Sequence, residues 1–166
     1  MIDWATTTDH GRGALLDPVP ARSPRPQRVL VADSNRLVAE ALMFTLDSDP
    51  RVEAIGYALD GWNALELISS LEPDAVIVGT ALPGLDPLQL TRWLREAFPR
   101  VLPVLLRERL VPQEIEELYA AGAADCITTA SSADELLHAL SSARKRQILA
   151  EGVAALRIVR PGGLDG

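Results

Sequence analysis

Apolar and polar positions follow two alternating patterns from residue 27 to about residue 150. Short apolar runs of the kind that form buried strands occur five times, in the segments RVLVAD, VEAIGYA, AVIVG, VLPVLL and DCIT. Each run is followed by a segment whose apolar residues recur every three or four positions, as on one face of a helix. Strands that alternate with helices in this way predict an α/β fold, with a parallel sheet covered by helices on both faces.

Capping signals predict where several of these helices begin and end. Asp60 is placed to cap the second helix, and Asp86, which a proline follows, is placed to cap the third. Gly122 predicts the end of the fourth helix, and Ser132 with Glu135 forms a capping box that opens the fifth. Right-handed crossovers then give a doubly wound sheet, whose ligand crevice lies at the carboxyl ends of its central strands.

The two ends of the chain lack this pattern. Residues 1–27 are rich in proline, glycine, serine and threonine and show no sustained apolar period, which predicts a flexible N-terminal arm. We assign residues 28–150 to the folded domain and residues 151–166 to a C-terminal tail.

Composition narrows the classes of function. With 166 residues and 48% hydrophobic content, the chain is long enough for one domain with a substantial core. A net charge of −7 disfavours direct nucleic-acid binding, and one cysteine with two histidines disfavours a metal site or an internal disulfide. The apolar runs are too short to cross a membrane and the N-terminus lacks the order of a signal peptide, so a cytoplasmic location is expected.

The strand and loop segments together resemble the receiver domain of bacterial response regulators. The resemblance runs from about residue 28 to residue 148 and rests on the segment RVLVADSNRLVAEAL, the loop ALPGLD, the turn AAGAAD and their order. It implies a flavodoxin-like, doubly wound sheet of five parallel strands in the order 2-1-3-4-5. It also implies a role in a bacterial two-component or transcriptional regulatory pathway.

The resemblance implies a phosphorylation pocket at the carboxyl ends of the strands. In the family, an aspartate after the third strand accepts a phosphoryl group, and Mg²⁺ held by acids after the first strand neutralises the charge. A hydroxyl after the fourth strand and a lysine after the fifth hold the phosphoryl oxygens. In this chain Asp33 matches the first acid, but Ser34 stands at the second acidic position and Gly79 at the phosphoacceptor position.

The remaining pocket positions also depart from the family pattern. Thr129 stands at the lysine position, and Cys126 stands at the position of the switch aromatic on the fifth strand. The hydroxyl position falls on either Arg107 or Glu108, and neither side chain carries a hydroxyl. Together these departures predict a pseudo-receiver that lacks the phosphoacceptor aspartate.

The two acidic positions after the first strand also have a structural interpretation. Asp33 is either the remnant of a cation site or, as we favour, a strand-end residue that caps local backbone or pairs with Arg107. One carboxylate beside a serine is a poor site for Mg²⁺, which requires several oxygen ligands, so no metal or cofactor is expected. Ser34 is expected to help start the first helix.

Other polar and aromatic positions are interpreted in the same way. Thr129 is expected to hydrogen-bond nearby backbone, and Cys126 to be a small buried hydrophobe. Trp62 and Trp93 are interpreted as partial core, with exposure as interface anchors the alternative.

The leading hypothesis is a non-enzymatic signalling module that acts independently of phosphorylation through a protein partner or a second copy. The resemblance implies contact surfaces on the first, fourth or last helix, around residues 37–46, 112–121 and 132–148. The alternative is a sensor of an anionic metabolite that binds in the crevice at the strand ends. An enzyme is disfavoured because no glycine-rich phosphate loop or nucleophile–base pair is found. If the chain is a fragment, an effector domain is expected elsewhere in the protein.

Overall fold

A computed structural model describes residues 25–158 as alternating strands and helices. The strands are β1 (Gln27–Ala32), β2 (Val52–Ala58), β3 (Ala75–Val78), β4 (Leu102–Arg107) and β5 (Asp125–Thr128). The helices are α1 (Arg36–Asp47), α2 (Gly61–Leu71), α3 (Pro87–Ala97), α4 (Pro112–Ala121) and α5 (Ala133–Ile158). All strand pairs are parallel and the order is β2-β1-β3-β4-β5, which confirms the predicted flavodoxin-like sheet.

Alternate residues of the strands enter two core layers, one on each face of the sheet. The layer beneath α2, α3 and α4 includes Leu30, Val78, Leu105, Ile68 and Leu94. The layer beneath α1 and α5 includes Val31, Ile77, Val104, Ala39 and Leu140. The central strand β3, with the sequence AVIV, is buried along its whole length, as expected for a strand covered on both faces.

Most of the predicted helix caps are confirmed. The carboxylates of Asp60 and Asp86 accept backbone N–H bonds at the starts of α2 and α3, and Gly122 ends α4 with a φ of 113°. Ser132 and Glu135 make the reciprocal hydrogen bonds of a capping box.

The interpretation of Ser34 as a helix starter was wrong. Ser34 is exposed, and the side chain of the next residue, Asn35, caps α1 by accepting the N–H of Leu37 at 3.0 Å. Asparagine is among the strongest N-cap residues, so it takes the position that lies directly before the first helical turn.

The domain extends beyond both predicted boundaries. Residues 1–24 of the predicted arm lie outside the described residues, but Gln27 is the first, buried residue of β1, and Arg25 makes an ion pair with Asp74. At the other end, α5 continues through the predicted boundary at residue 150 to Ile158. The segment after residue 148 is rich in alanine and leucine, which favour helix, and this explains the extension. Residues 159–166 lie outside the described part.

Within residues 25–158, no helix has both the length and the apolar character needed to cross a membrane.

Candidate functional site

The carboxyl ends of β1 and β3 place Asp33 and Gly79 side by side. Ala32 pairs with Val78 in the register of these two strands, and the two residues of interest are the next along each strand. The Gly79 N–H donates to the carbonyl of Ala32 at 2.7 Å, which holds the two strand ends together. The sheet therefore brings the first acidic position and the phosphoacceptor position into contact, as their places in the sequence predict.

The Asp33 side chain lies over Gly79 and fills the space that a side chain at position 79 would need. A Cβ atom built on Gly79 would overlap Oδ2 of Asp33 and lie 2.7 Å from its Cγ. Asp33 is only 7% exposed, and its Oδ1 accepts the backbone N–H of Asn35 at 2.7 Å. The carboxylate caps local backbone, as we favoured, and it closes the crevice above β3.

This arrangement does not fit a magnesium ion. Mg²⁺ prefers six oxygen ligands, whereas this end of the sheet presents the single carboxylate of Asp33, one oxygen of which is engaged by a backbone N–H. The neighbouring Ser34 is exposed, and Gly79 has no side chain to contribute. Across residues 25–158, no three His, Cys, Asp or Glu side chains converge in a metal-binding cluster.

The expected pairing of Asp33 with Arg107 was wrong. No ion pair joins them among the described residues, because Asp33 turns toward the start of α1 whereas strand alternation places Arg107 on the same face as Leu105, beneath α3 and α4. The charge of Arg107 instead acts on the thiol of Cys126 on the neighbouring strand.

The other predicted pocket residues are dispersed over the same edge. Thr129 is exposed, and its backbone N–H donates to the carbonyl of Arg107 at 2.8 Å, which continues the pairing of β4 with β5; the hydrogen bond expected of its side chain stays a prediction. Glu108 is exposed in the loop after β4.

Cys126 is half-buried against the core layer beneath α2, α3 and α4. Burial and the Asp125 carboxylate raise the pKa of its thiol to about 11, while the Arg107 guanidinium opposes the shift. Cys126 is therefore held as a neutral thiol, consistent with a hydrophobic role.

Several large apolar side chains are exposed on the helices. Trp62 on α2 and Trp93 on α3 make an edge-to-face pair with ring centroids 5.8 Å apart, and about half of each side chain is exposed. Both side chains are more exposed than expected for residues that belong partly to the core. On α1, Leu37 is 75% and Phe44 is 82% exposed. Helical periodicity alone did not indicate these exposures, because it does not show how far a neighbouring element extends.

The family model described as the response regulator receiver domain matches residues 29–141. A protein-glutamate methylesterase/protein-glutamine glutaminase from Anaeromyxobacter dehalogenans is 36% identical over 102 residues, covering 61% of this chain and 28% of that protein. The transcriptional regulatory protein LiaR from Bacillus subtilis is 25% identical over 132 residues, covering 80% of this chain and 63% of LiaR. The chain thus aligns with less than two thirds of either relative.

Solved receiver structures superpose on almost three quarters of the chain. The signal receiver domain of the response regulator NarL from Mycobacterium tuberculosis superposes with a TM-score of 0.68 and 29% identity, covering 73% of this chain and 98% of that one. The response regulator domain of CheB from Thermotoga maritima gives a TM-score of 0.64 and 27% identity, covering 72% of this chain and 96% of that one. Both structures therefore correspond to one nearly complete domain within this chain.

Proposed function

Because the chain belongs to the family of response regulator receiver domains, we propose that it is a signalling domain that works without aspartyl phosphorylation. The observation that supports this is the contact between Asp33 and Gly79. The residue at the phosphoacceptor position has no carboxylate, and the acid that would help to hold Mg²⁺ lies over it. Two-component signalling is the family's role, and in this proposal the domain keeps that role while the chemical step is lost.

Phosphoryl transfer to a carboxylate depends on three groups that act together. A nucleophile must approach phosphorus, a metal ion must neutralise the charge, and a cation must hold the transferred oxygens. Gly79 lacks the nucleophile, Asp33 alone does not form a metal site, and Thr129 is neutral where the family has a lysine. Loss of any one of these groups lowers the rate, and the loss of all three leaves no site for the reaction.

We propose that the domain transmits its signal by binding a protein partner or a second copy of this chain. Exposed apolar side chains lie on each of the three helices that the family resemblance indicates. These side chains are Leu37 and Phe44 on α1, Tyr119 on α4, and Ile148, Leu149 and Val153 on α5. We favour α1, because Phe44 has the largest exposed fraction among the exposed large hydrophobic side chains. The domain is regulatory rather than enzymatic in this proposal, and we place it in the cytoplasm.

Phosphodonor treatment tests the loss of phosphorylation. The full chain is incubated with Mg²⁺ and acetyl phosphate, and its intact mass is measured beside a receiver domain that has the aspartate. We expect no added mass on this chain and one phosphoryl group on the reference. The Gly79→Asp variant is also expected to stay unmodified, because Ser34 still stands at the second acidic position and Thr129 at the lysine position, so the new carboxylate has neither a metal site nor a cation beside it. A hydroxylamine-labile phosphoryl adduct on the parent chain would overturn the proposal.

Sedimentation velocity tests whether two copies of the chain associate through α1. Phe44→Ser removes the exposed aromatic ring and leaves the core intact, so any dimer formed through α1 should weaken while the melting temperature stays unchanged. Trp93→Ser on α3 is the matched control and should leave the association state as it is. If the parent chain is monomeric, the proposed partner of α1 is a different protein and not a second copy.

A small anion in the crevice at the strand ends, the alternative expected from the sequence, receives no support from the geometry. The Asp33 carboxylate lies above β3 where such a ligand would sit, and its negative charge opposes an anion.

A further inference from the structure

A cavity of about 270 Å³ lies at the opposite edge of the sheet, where the strands begin. Its walls come from three separated parts of the chain: the start of β1 at Gln27, the turn between α1 and β2 at Arg51, and α5 around Arg144. The cavity is small for a ligand site, since pockets for drug-sized molecules hold about 300 to 1,000 Å³. A compact ligand is the size of molecule that this space admits.

Basic side chains dominate this cavity, although the whole chain is acidic. Arg25, Arg51, Arg144 and Lys145 line it together with the single carboxylate of Asp49. Asp49 is already engaged by Arg51, with an Oδ2 to Nη2 distance of 2.6 Å. The Arg51 guanidinium holds the pKa of the Asp49 carboxyl at about 2, so this acid stays charged and paired.

Two of the basic groups make no ion pair with a carboxylate in the described part of the chain. Arg144 donates to the backbone carbonyl of Arg25, with both nitrogens 3.3 Å from that oxygen. Lys145 is exposed and makes no ion pair with any residue from 25 to 158. The charge of Arg144 also helps to lower the pKa of the Asp74 carboxyl, without a direct ion pair, so the guanidinium and the Lys145 ammonium both retain donors for a ligand.

A buried amide donor lines the same cavity without a partner. Gln27 is 3% exposed, and its Nε2 has no hydrogen-bond partner within the described part of the chain. Its backbone is held in place, because the Gln27 N–H donates to the carbonyl of Arg51 at 2.8 Å. An unsatisfied buried donor is destabilising, and buried polar groups in native proteins are nearly always hydrogen-bonded. Gln27 lines the cavity, and rotation of its amide toward the opening would let a ligand oxygen supply the missing acceptor.

We propose that this cavity binds a small oxyanion ligand, with carboxylate or phosphate oxygens, at the amino edge of the sheet. The Gln27 amide donates to one ligand oxygen, and Arg144 and Lys145 supply the compensating charge. Val52, Leu137 and Ile148 provide an apolar wall for the rest of the molecule. This inference is independent of the proposed loss of phosphorylation, because it involves none of the residues at the carboxyl edge.

Titration with two probe anions tests the site. Citrate and pyrophosphate are added to the full chain at constant ionic strength, and binding is followed by calorimetry and by amide chemical shifts. We expect saturable binding of at least one probe, with shifts at Gln27, Arg51 and Arg144. Comparison of the two probes distinguishes a carboxylate ligand from a phosphate ligand. Signals that change linearly without saturation, or that map elsewhere, would overturn the proposal.

Variants distinguish a specific binding site from nonspecific electrostatic attraction. Replacing both Arg144 and Lys145 by alanine should weaken probe binding tenfold or more, whereas Arg92→Ala, an exposed arginine on α3, should leave it unchanged. Gln27→Met should weaken binding and also raise the melting temperature of the free protein, because it removes an unpartnered buried amide. Equal affinity in the parent, the double variant and Gln27→Met would show that no such site exists.

Discussion

At the carboxyl edge of the sheet the buried Asp33 carboxylate accepts a hydrogen bond, whereas at the amino edge the buried Gln27 amide nitrogen has no partner among residues 25–158. Asp33 accepts the N–H of Asn35 and covers Gly79, so its carboxylate has a partner and occupies the space above β3. Gln27 lines a cavity with Arg144 and Lys145 of α5, which make no ion pair with a carboxylate of residues 25–158. The two edges belong to one sheet, and in our proposal the amino edge is the one that binds a ligand.

This contrast shows that the fold and the chemistry of a receiver domain are separable. The parallel sheet places its strand ends and helix starts at the carboxyl edge, which is where ligands usually bind in such folds. The side chains at that edge decide whether binding occurs. In this chain the strand order is that of a receiver domain, and in our proposal the reactive groups are replaced, so a ligand site is sought elsewhere on the molecule.

The largest effect is expected from adding a side chain at the closed edge. Gly79→Ala forces the Asp33 carboxylate to rotate away and give up its hydrogen bond to Asn35, which should lower the free energy of unfolding by about 1 to 3 kcal/mol. Urea denaturation at neutral pH measures this change. The same substitution in an Asp33→Ala background should cost much less, because the new methyl group then has room.

The coupling between the two substitutions decides the interpretation. A favourable coupling of about 1 kcal/mol or more indicates that Asp33 fills the space above Gly79. Additive effects would mean that the two residues do not compete for that space. The conclusion that Asp33 closes this edge would then be wrong.

A smaller effect is expected from removing the carboxylate that restrains the amino edge. Asp74 accepts the N–H of Arg28 at 2.8 Å and pairs with both Nη atoms of Arg25 at 2.7 Å. Asp74→Ala should therefore lower the free energy of unfolding by about 1 to 2 kcal/mol, while Asp74→Asn, which keeps an acceptor, should lower it less. Because either change frees the Arg25 guanidinium, both should strengthen pyrophosphate binding in the nearby cavity.

Acid pH provides the control for Asp74. Burial raises the pKa of this carboxyl, but hydrogen bonds from Arg25 and from the Arg28 N–H outweigh burial and leave the pKa below its ordinary value. A depressed pKa adds stability that is complete above the ordinary value near 4 and is lost as the pH falls through the folded value. The stability difference between the parent chain and Asp74→Ala should therefore shrink below pH 4. A difference that is constant from pH 7 to pH 3 would contradict this account of the ion pair.

The smallest effect is expected at Arg107. It makes no ion pair with Asp33, so Arg107→Ala should change the free energy of unfolding by less than about 0.5 kcal/mol and should add to the effect of Asp33→Asn without coupling. Thermal unfolding of the two single variants and the double variant measures the sum. A rescue of Arg107→Ala by Asp33→Asn would show that the two charges interact after all.

The sequence predicted the carboxyl edge better than the amino edge, for a physical reason. Asp33 and Gly79 end neighbouring strands, so periodicity and strand order were enough to bring them together. The direction of the Asp33 side chain was not predictable, because a backbone N–H two residues away competes with the more distant Arg107. Local hydrogen bonds of this kind depend on the exact turn after the strand.

The amino-edge cavity could not be predicted from local pattern. Gln27, Arg51 and Arg144 lie in segments that are far apart in the sequence, and each alone is typical of a strand end, a turn or a solvated helix face. The extension of α5 beyond residue 150 was missed because its apolar stripe weakens where the helix leaves the sheet. Only the packed fold shows that these residues share one surface.

The most direct test of the contrast between the edges is amide chemical-shift mapping of the full chain with two additions. Mg²⁺ with beryllofluoride, a mimic of the aspartyl phosphate, should leave Asp33, Gly79 and Thr129 unshifted. Citrate or pyrophosphate, each added in turn, should in at least one case shift Gln27 and the basic residues of α5 saturably. Saturable, Mg²⁺-dependent shifts at Asp33 and Gly79 would contradict the account, because they would show that the carboxyl edge still opens to a phosphoryl group.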